Sequence, residues 1–307
     1  MNYTKAPLDF AAQADRLLER GLLAERDHLI HRLQSVSYYR LSGYLYPYRK
    51  PDSDDFVDGL QFDLIWKRYC FDRRLRVLLM DAIERVEVAV RTQLVYHFAH
   101  QHGPFGHCDE TNLPNLKKVS EYINWRDDLQ TETSRSKEAF KRHFFGKYGD
   151  AHRNLPIWMI SELMSMGSLL TFFKGIDKTI GSQVAQHFNQ DMPDELLLSW
   201  LRSLYALRNI CAHHGRLLNR VLGYAPALPH KNKFPEWHLM SEDGKRLVNN
   251  ERVGILIMIL RFFICRTSPS SQWAERVEQL FDEYPEIPAT HLGLPDQWQQ
   301  LPPWQNP

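Results

Sequence analysis

Leu204-Tyr-Ala-Leu-Arg208-Asn209-Ile-Cys-Ala-His213-His214-Gly-Arg216-Leu-Leu-Asn-Arg220 decides the fold class of this 307-residue chain. Its apolar residues return at three- and four-residue steps, the period of an α-helix and not of a strand. The same rhythm begins upstream, so the spacing predicts one helix from about Pro193 to Val221. At about 100° per residue, Asn209, His213, Arg216 and Arg220 fall in one stripe. Leu204, Leu207, Cys211 and Leu218 fall on the other side, with His214 near them. Arg208 lies about 140° round from His213, yet a long side chain can snorkel to the same opening. No Asp or Glu occurs from Leu196 through Leu222, so these cations have no partner on their own helix. An anion is wanted from elsewhere. Arginine grips phosphate as a planar two-pronged donor, and histidine exchanges protons near neutrality. Phosphodiester chemistry without metal is one reading; core histidines beside structural ion pairs are the other.

Outward from this stretch the helical period persists, and convincing strands are nearly absent. Two short helices are expected over 8–20 and 24–35. From Gly59 to about His100, Leu75, Leu78, Leu79, Ile83, Val86, Val90 and Leu94 keep helical steps, enough for two helices meeting near Asp72. Glu84, Glu87 and Arg91 share one face there. They form either a solvated ion-pair ladder or a buried polar partner for the Arg208 helix. Further helices are expected over 116–150, from Ile157, over 177–189, over 245–266 and over 271–283. The tail from Pro285 carries six prolines with Trp298 and Trp304, which suits an extended cover docked on the core rather than a helix. Three segments result: an N-terminal helical part with a tyrosine-rich connector (1–58), a helical core (59–284) and the tail (285–307), expected to form one compact unit.

Composition narrows the function classes. A net charge of +1 gives no overall field for nucleic acid, so any basic surface is local. The strongest local stretch runs from Arg135 to Lys147, with Lys141 and Arg142 interleaved among Phe140, Phe144 and Phe145. A solvated helix face and an RNA backbone groove fit it equally. Five tyrosines stand between Tyr38 and Tyr48, placed either for packing at a seam or for stacking bases. The opening residues lack the apolar core of a secretory leader, and Cys70, Cys108, Cys211 and Cys265 show no paired spacing. A cytoplasmic location is expected. The apolar run Val253–Leu260 is too short to span a bilayer. His97, His100, His102, His107 and Cys108 offer zinc ligands, but their spacing matches no common zinc motif. Neither a nucleophile elbow nor a phosphate-cradling glycine loop is present.

Arg208-Asn209-Ile-Cys-Ala-His213 resembles the R-x4-6-H signature of HEPN-fold ribonucleases, and the longer block Leu207–Arg220 is similar to the Abi-like family of abortive-infection proteins (AbiD/AbiF type). Ser37-Tyr-Tyr-Arg-Leu-Ser-Gly-Tyr-Leu-Tyr-Pro47, Ile83-Glu-Arg-Val-Glu-Val-Ala-Val-Arg91 and Leu292-Gly-Leu-Pro-Asp-Gln-Trp298 follow in family order. Leu294 stands where an aromatic is expected. The resemblance implies an all-α HEPN-type bundle with additional N-terminal and C-terminal helical elements. It implies Arg208 and His213 as a catalytic pair with Asn209 orienting, in a composite site between two protomers. RNA would be the substrate, held by Arg216, Arg220, Lys141 and Arg142, with Glu84, Glu87 and Arg91 as supporting partners. Phage defence or a toxin role is implied, in some cases with a small RNA as neutralising partner, and neither metal nor cofactor is called for. Two rival readings remain, a noncatalytic RNA-binding protein and a dimerisation module whose stripe pairs with Glu84 and Glu87.

Overall fold

The computed structural model describes residues 6–242 and 244–305 and is all-α. Its helices are α1 (Phe10–Glu19), α2 (Arg26–Ser35), α3 (Tyr38–Leu45), α4 (Phe62–His102), α5 (Val119–Arg135), α6 (Ala139–Tyr148), α7 (Ile157–Ile160), α8 (Met166–Gly175), α9 (Lys178–Phe188), α10 (Asp194–Ala212), α11 (Val253–Thr267), α12 (Trp273–Glu283) and α13 (Pro302–Gln305). Several start where a short polar side chain takes up free backbone amides. Asp9 accepts from Ala12 N, Ser37 from Arg40 N, and Asp177 from Thr179 N and Ile180 N. The only β pairing among the described residues is in isolated bridges, such as Leu23 with Gln61.

The spine is α4. It runs unbroken through Asp72 for 41 residues, about 60 Å at 1.5 Å per residue, rather than as two helices meeting there. It ends at Gly103, whose φ of 74° suits glycine alone. Around it pack α3, α9, α10, α11 and α12. Every residue of Val253–Leu260 is buried, which is why α11 is apolar all round. Basic residues 116–150 divide into α5 and α6 with a break at 136–138. There Lys141 Nζ donates to the Ser134 and Ser136 carbonyls.

The tail packs against α11, and its end is helical where an extended cover was expected. Trp298 and Trp304 are buried with ring centroids 4.6 Å apart, and Trp304 Nε1 donates to Glu278 at 2.6 Å. Pro302 and Pro303 do not forbid a helix, because they occupy the first turn of α13, where a proline's missing N–H is no loss. Leu294 is buried against Gly254 of α11, so closely that a Cβ on Gly254 would sit 2.5 Å from its Cγ. No helix among the described residues is long and apolar enough to cross a membrane.

Among the described residues no group of three metal-ligating side chains is placed to hold an ion. In the histidine-rich loop, His107 is fully buried with Nε2 3.6 Å from Cys108 Sγ. Burial, helped by the Arg126 charge, drives this imidazole down from 6.5 to about 3. The unfolded chain therefore binds a proton near pH 6.5 that the folded chain refuses until about pH 3. Its contribution to stability is whole above pH 6.5 and drains away as the pH falls towards 3. Between pH 7 and pH 5 the loss is about 2 kcal/mol. His107→Gln is expected to flatten the stability profile over that interval in urea titrations; an unchanged slope refutes it.

Candidate functional site

The helix bearing the Arg208 motif is shorter than its rhythm implies. α10 stops at Ala212, and His213 is its C-cap. His214 N donates to Cys211 O at 3.0 Å and Gly215 N to Ile210 O at 2.7 Å. This is the paired closure in which the residue after the cap turns left-handed. Here that residue is a histidine, with φ of 56° at His214, and not the usual glycine. The predicted helical stripe of Asn209, His213, Arg216 and Arg220 therefore does not exist. Only Asn209 remains on the helix. His214 is exposed rather than facing the core. The glycine falls one position later because a Cβ on Gly215 would lie 2.9 Å from Ile210 Cγ2 and 3.1 Å from Ile210 O. Gly215→Ala is expected to cost about 1–3 kcal/mol through that overlap, whereas His214→Gly, which relaxes the left-handed residue, costs nothing; denaturant titration of both variants checks the pair.

What captures the chain beyond the cap is a carboxylate that the sequence reading passed over. Asp72 of α4 is fully buried, and its oxygens accept from Leu217 N, Leu218 N, the Tyr44 hydroxyl and Arg76. Burial pushes its carboxyl upward; Arg76, Tyr44 and the two amides oppose that by holding the ionised form. Arg68, Asp72 and Arg76 follow one another at four-residue steps and are all buried. Arg68 reaches His291 Nδ1 at 2.9 Å, and Asn219 N donates to the His291 carbonyl at 2.7 Å. The motif loop, the tyrosine segment and the tail thus meet on one ladder of charges along α4.

A helix C-terminus carries partial negative charge, which repels phosphate. Arginines neutralise this one. Arg40 donates to His214 O at 2.6 Å, Arg76 to Gly215 O at 3.1 Å and Arg220 Nε to Arg216 O at 2.5 Å. Arg220, predicted to hold RNA, is therefore turned back onto its own loop. The exposed His213 opens into a cavity of about 280 Å³ with Ser37, Tyr39, Arg40, His214 and Arg216 in its wall, and no carboxylate lines it. Cys211 beneath it is buried, and burial pushes its thiol up to about 12, so it offers no thiolate.

Arg208 and Asn209 look the other way along α4. Arg208 Nη1 makes a long 3.4 Å bond to Asn209 Oδ1 and none to His213. Its charge is felt by Glu87, which is joined to Arg91 at 2.5 Å in a half-buried pair. Burial raises the Glu87 carboxyl, against the charges of Arg91 and Arg208. Arg91 in turn lines a second cavity, about 460 Å³, with Tyr96, His100 and Trp158. Glu87 thus already has a partner within its own helix, which weakens the reading in which it pairs across an interface. Glu84 is exposed. Neither Lys141 nor Arg142 lines either cavity. Sequence reasoning missed Arg40, Asp72 and Arg76, and singled out Tyr39 only as one of five tyrosines. Asp72 and Arg76 were detectable, because both charges fall in the apolar stripe of α4.

A family model described as Abi-like protein matches residues 31–219. The match takes in α3, α4 and the capped end of α10, stopping at the loop that Asp72 holds. No curated protein and no solved structure matches the chain.

Proposed function

The chain belongs to the Abi-like protein family, and from that premise we propose that it is a metal-independent endoribonuclease of the HEPN type, acting in abortive infection or as a toxin. One observation carries this reading. An exposed imidazole, His213, faces a cavity walled by arginines and free of carboxylates, which suits a phosphodiester better than a neutral or cationic ligand. His213 would move the proton at the ribose 2′-hydroxyl or at the leaving 5′-oxygen, a role that contributes typically about 10²–10⁴-fold. Arg208 would stabilise charge developing on the scissile phosphate, with Asn209 orienting it. Arg216 and Arg40 would hold the neighbouring backbone.

Within one chain His213 lines the arginine-walled cavity, whereas Arg208 is not in its wall and bonds to Asn209 instead. A homodimer that sets the Arg208 side of one copy against the His213 side of the other completes the site in the simplest way. RNA is then both substrate and, as a small noncoding partner, a natural restraint. The products would carry 2′,3′-cyclic phosphate and 5′-hydroxyl ends. RNA cleavage by the purified full-length protein in EDTA, with the ends identified, tests the proposal. Cleavage lost to chelation overturns it, and tight RNA binding without any cut would make the protein a noncatalytic RNA binder.

A further inference from the structure

Tyr39 has no evident structural task. Its neighbours Leu41, Tyr44 and Leu45 are buried, and Tyr38 accepts a hydrogen bond from Arg20 at 3.0 Å. Tyr39 itself stands 87% exposed on the first turn of α3. It lines two cavities at once. One is the cavity at His213; the other is a groove of about 920 Å³ between α1 and the start of α3. Arg16, Arg20 and Arg49 line this groove against a single carboxylate, Asp54, which Arg49 already engages at 3.0 Å. Arg16 is exposed and makes no ion pair among the described residues. Leu8 and Phe10 add exposed apolar surface at the same wall. The two cavities share Ser37 and Tyr39 in their walls, and a cationic groove with an exposed aromatic ring is what proteins use to hold an unpaired strand.

We propose that a single-stranded RNA segment leaving the His213 cavity stacks a base on Tyr39 and continues into the Arg16–Arg20–Arg49 groove. This rests on the reading of the His213 cavity as an RNA site. A free ring at the junction favours an unpaired base, because a base inside a duplex has both faces covered. The groove's excess of arginine over carboxylate supplies the backbone contacts. The route runs across the N-terminal helices, away from Lys141 and Arg142. The tyrosine-rich segment thereby becomes the element that selects single strands.

The test measures binding of a short fluorescein-labelled single-stranded oligoribonucleotide to the full-length protein carrying His213→Ala, which silences cutting. Adding Tyr39→Ala is expected to weaken binding roughly tenfold, as loss of one stacked base does, and Tyr39→Trp to restore it. Arg16→Glu is expected to weaken binding and lower the salt slope by about one. A duplex of the same sequence should bind less tightly than the single strand. Wild-type affinity in Tyr39→Ala, equal affinity for duplex, or no binding of the oligonucleotide at all overturns the proposal. The ribonuclease reading fails separately, by absence of cleavage in the wild-type protein, and leaves these binding comparisons able to decide the groove.

Discussion

Asp72→Asn is expected to lower stability by about 3–5 kcal/mol, the cost of leaving one member of a buried ion pair without its counter-charge. Arg76 is 6% exposed and Asp72 0%, so water cannot replace the missing carboxylate. An amide keeps the shape but not the chemistry. Its single oxygen cannot serve Leu217 N, Leu218 N, Tyr44 and Arg76 together, and its NH2 would face donors. Against the roughly 5–15 kcal/mol that stabilises a typical domain, this is a large fraction. Guanidinium titration gives the magnitude, and amide exchange at Leu217 and Leu218 gives the place. Adding Arg76→Met to Asp72→Asn should recover part of the loss, because the unpaired charge is removed while the Asn oxygen still accepts from the loop amides. A loss below about 1 kcal/mol for Asp72→Asn would mean that the ladder does not hold the loop.

That ladder also shows how far the sequence could be read. Helical periodicity carries reliable information where a buried face is continuous, so α4 and α11 were legible from Leu75–Leu94 and Val253–Leu260. The same periodicity runs on past a helix end when the loop beyond is itself apolar. Leu217 and Leu218 are buried, so they continued the rhythm although the backbone had already turned at His214. A glycine at that left-handed position would have announced the stop; a histidine there concealed it. Arg68, Asp72 and Arg76 were visible as charges seven residues before Leu75, Leu79 and Ile83, hence on the buried face. Charges in an apolar stripe call for a buried partner, and this one was a loop backbone. The junction of Tyr39 with His213 depends on contacts between residues far apart in sequence, and no local pattern carries that information.

His213→Ala and Arg208→Ala are each expected to reduce RNA cleavage by about 10²–10⁴-fold. His213 is exposed, so its replacement should leave stability within about 0.5 kcal/mol, which separates chemistry from folding. Arg208→Ala leaves the Arg91–Glu87 pair intact and should likewise fold. The sharper consequence concerns assembly. If each site joins His213 of one protomer to Arg208 of its partner, two-fold symmetry gives every dimer two such sites. A dimer of one Arg208→Ala chain and one His213→Ala chain then has one intact site, although neither variant cuts alone. Random exchange in an equal mixture should restore about a quarter of wild-type activity, half the dimers being mixed and each having half its sites. A site completed within one chain allows no such recovery, since every chain in the mixture has lost one of its two groups. Cleavage assays on the unfolded-and-refolded mixture, against each variant treated alone, decide between the two arrangements. Recovery near a quarter would assign Arg208 to the partner's site, and no recovery would require Arg208 to swing round α10 to reach the phosphate beside its own His213.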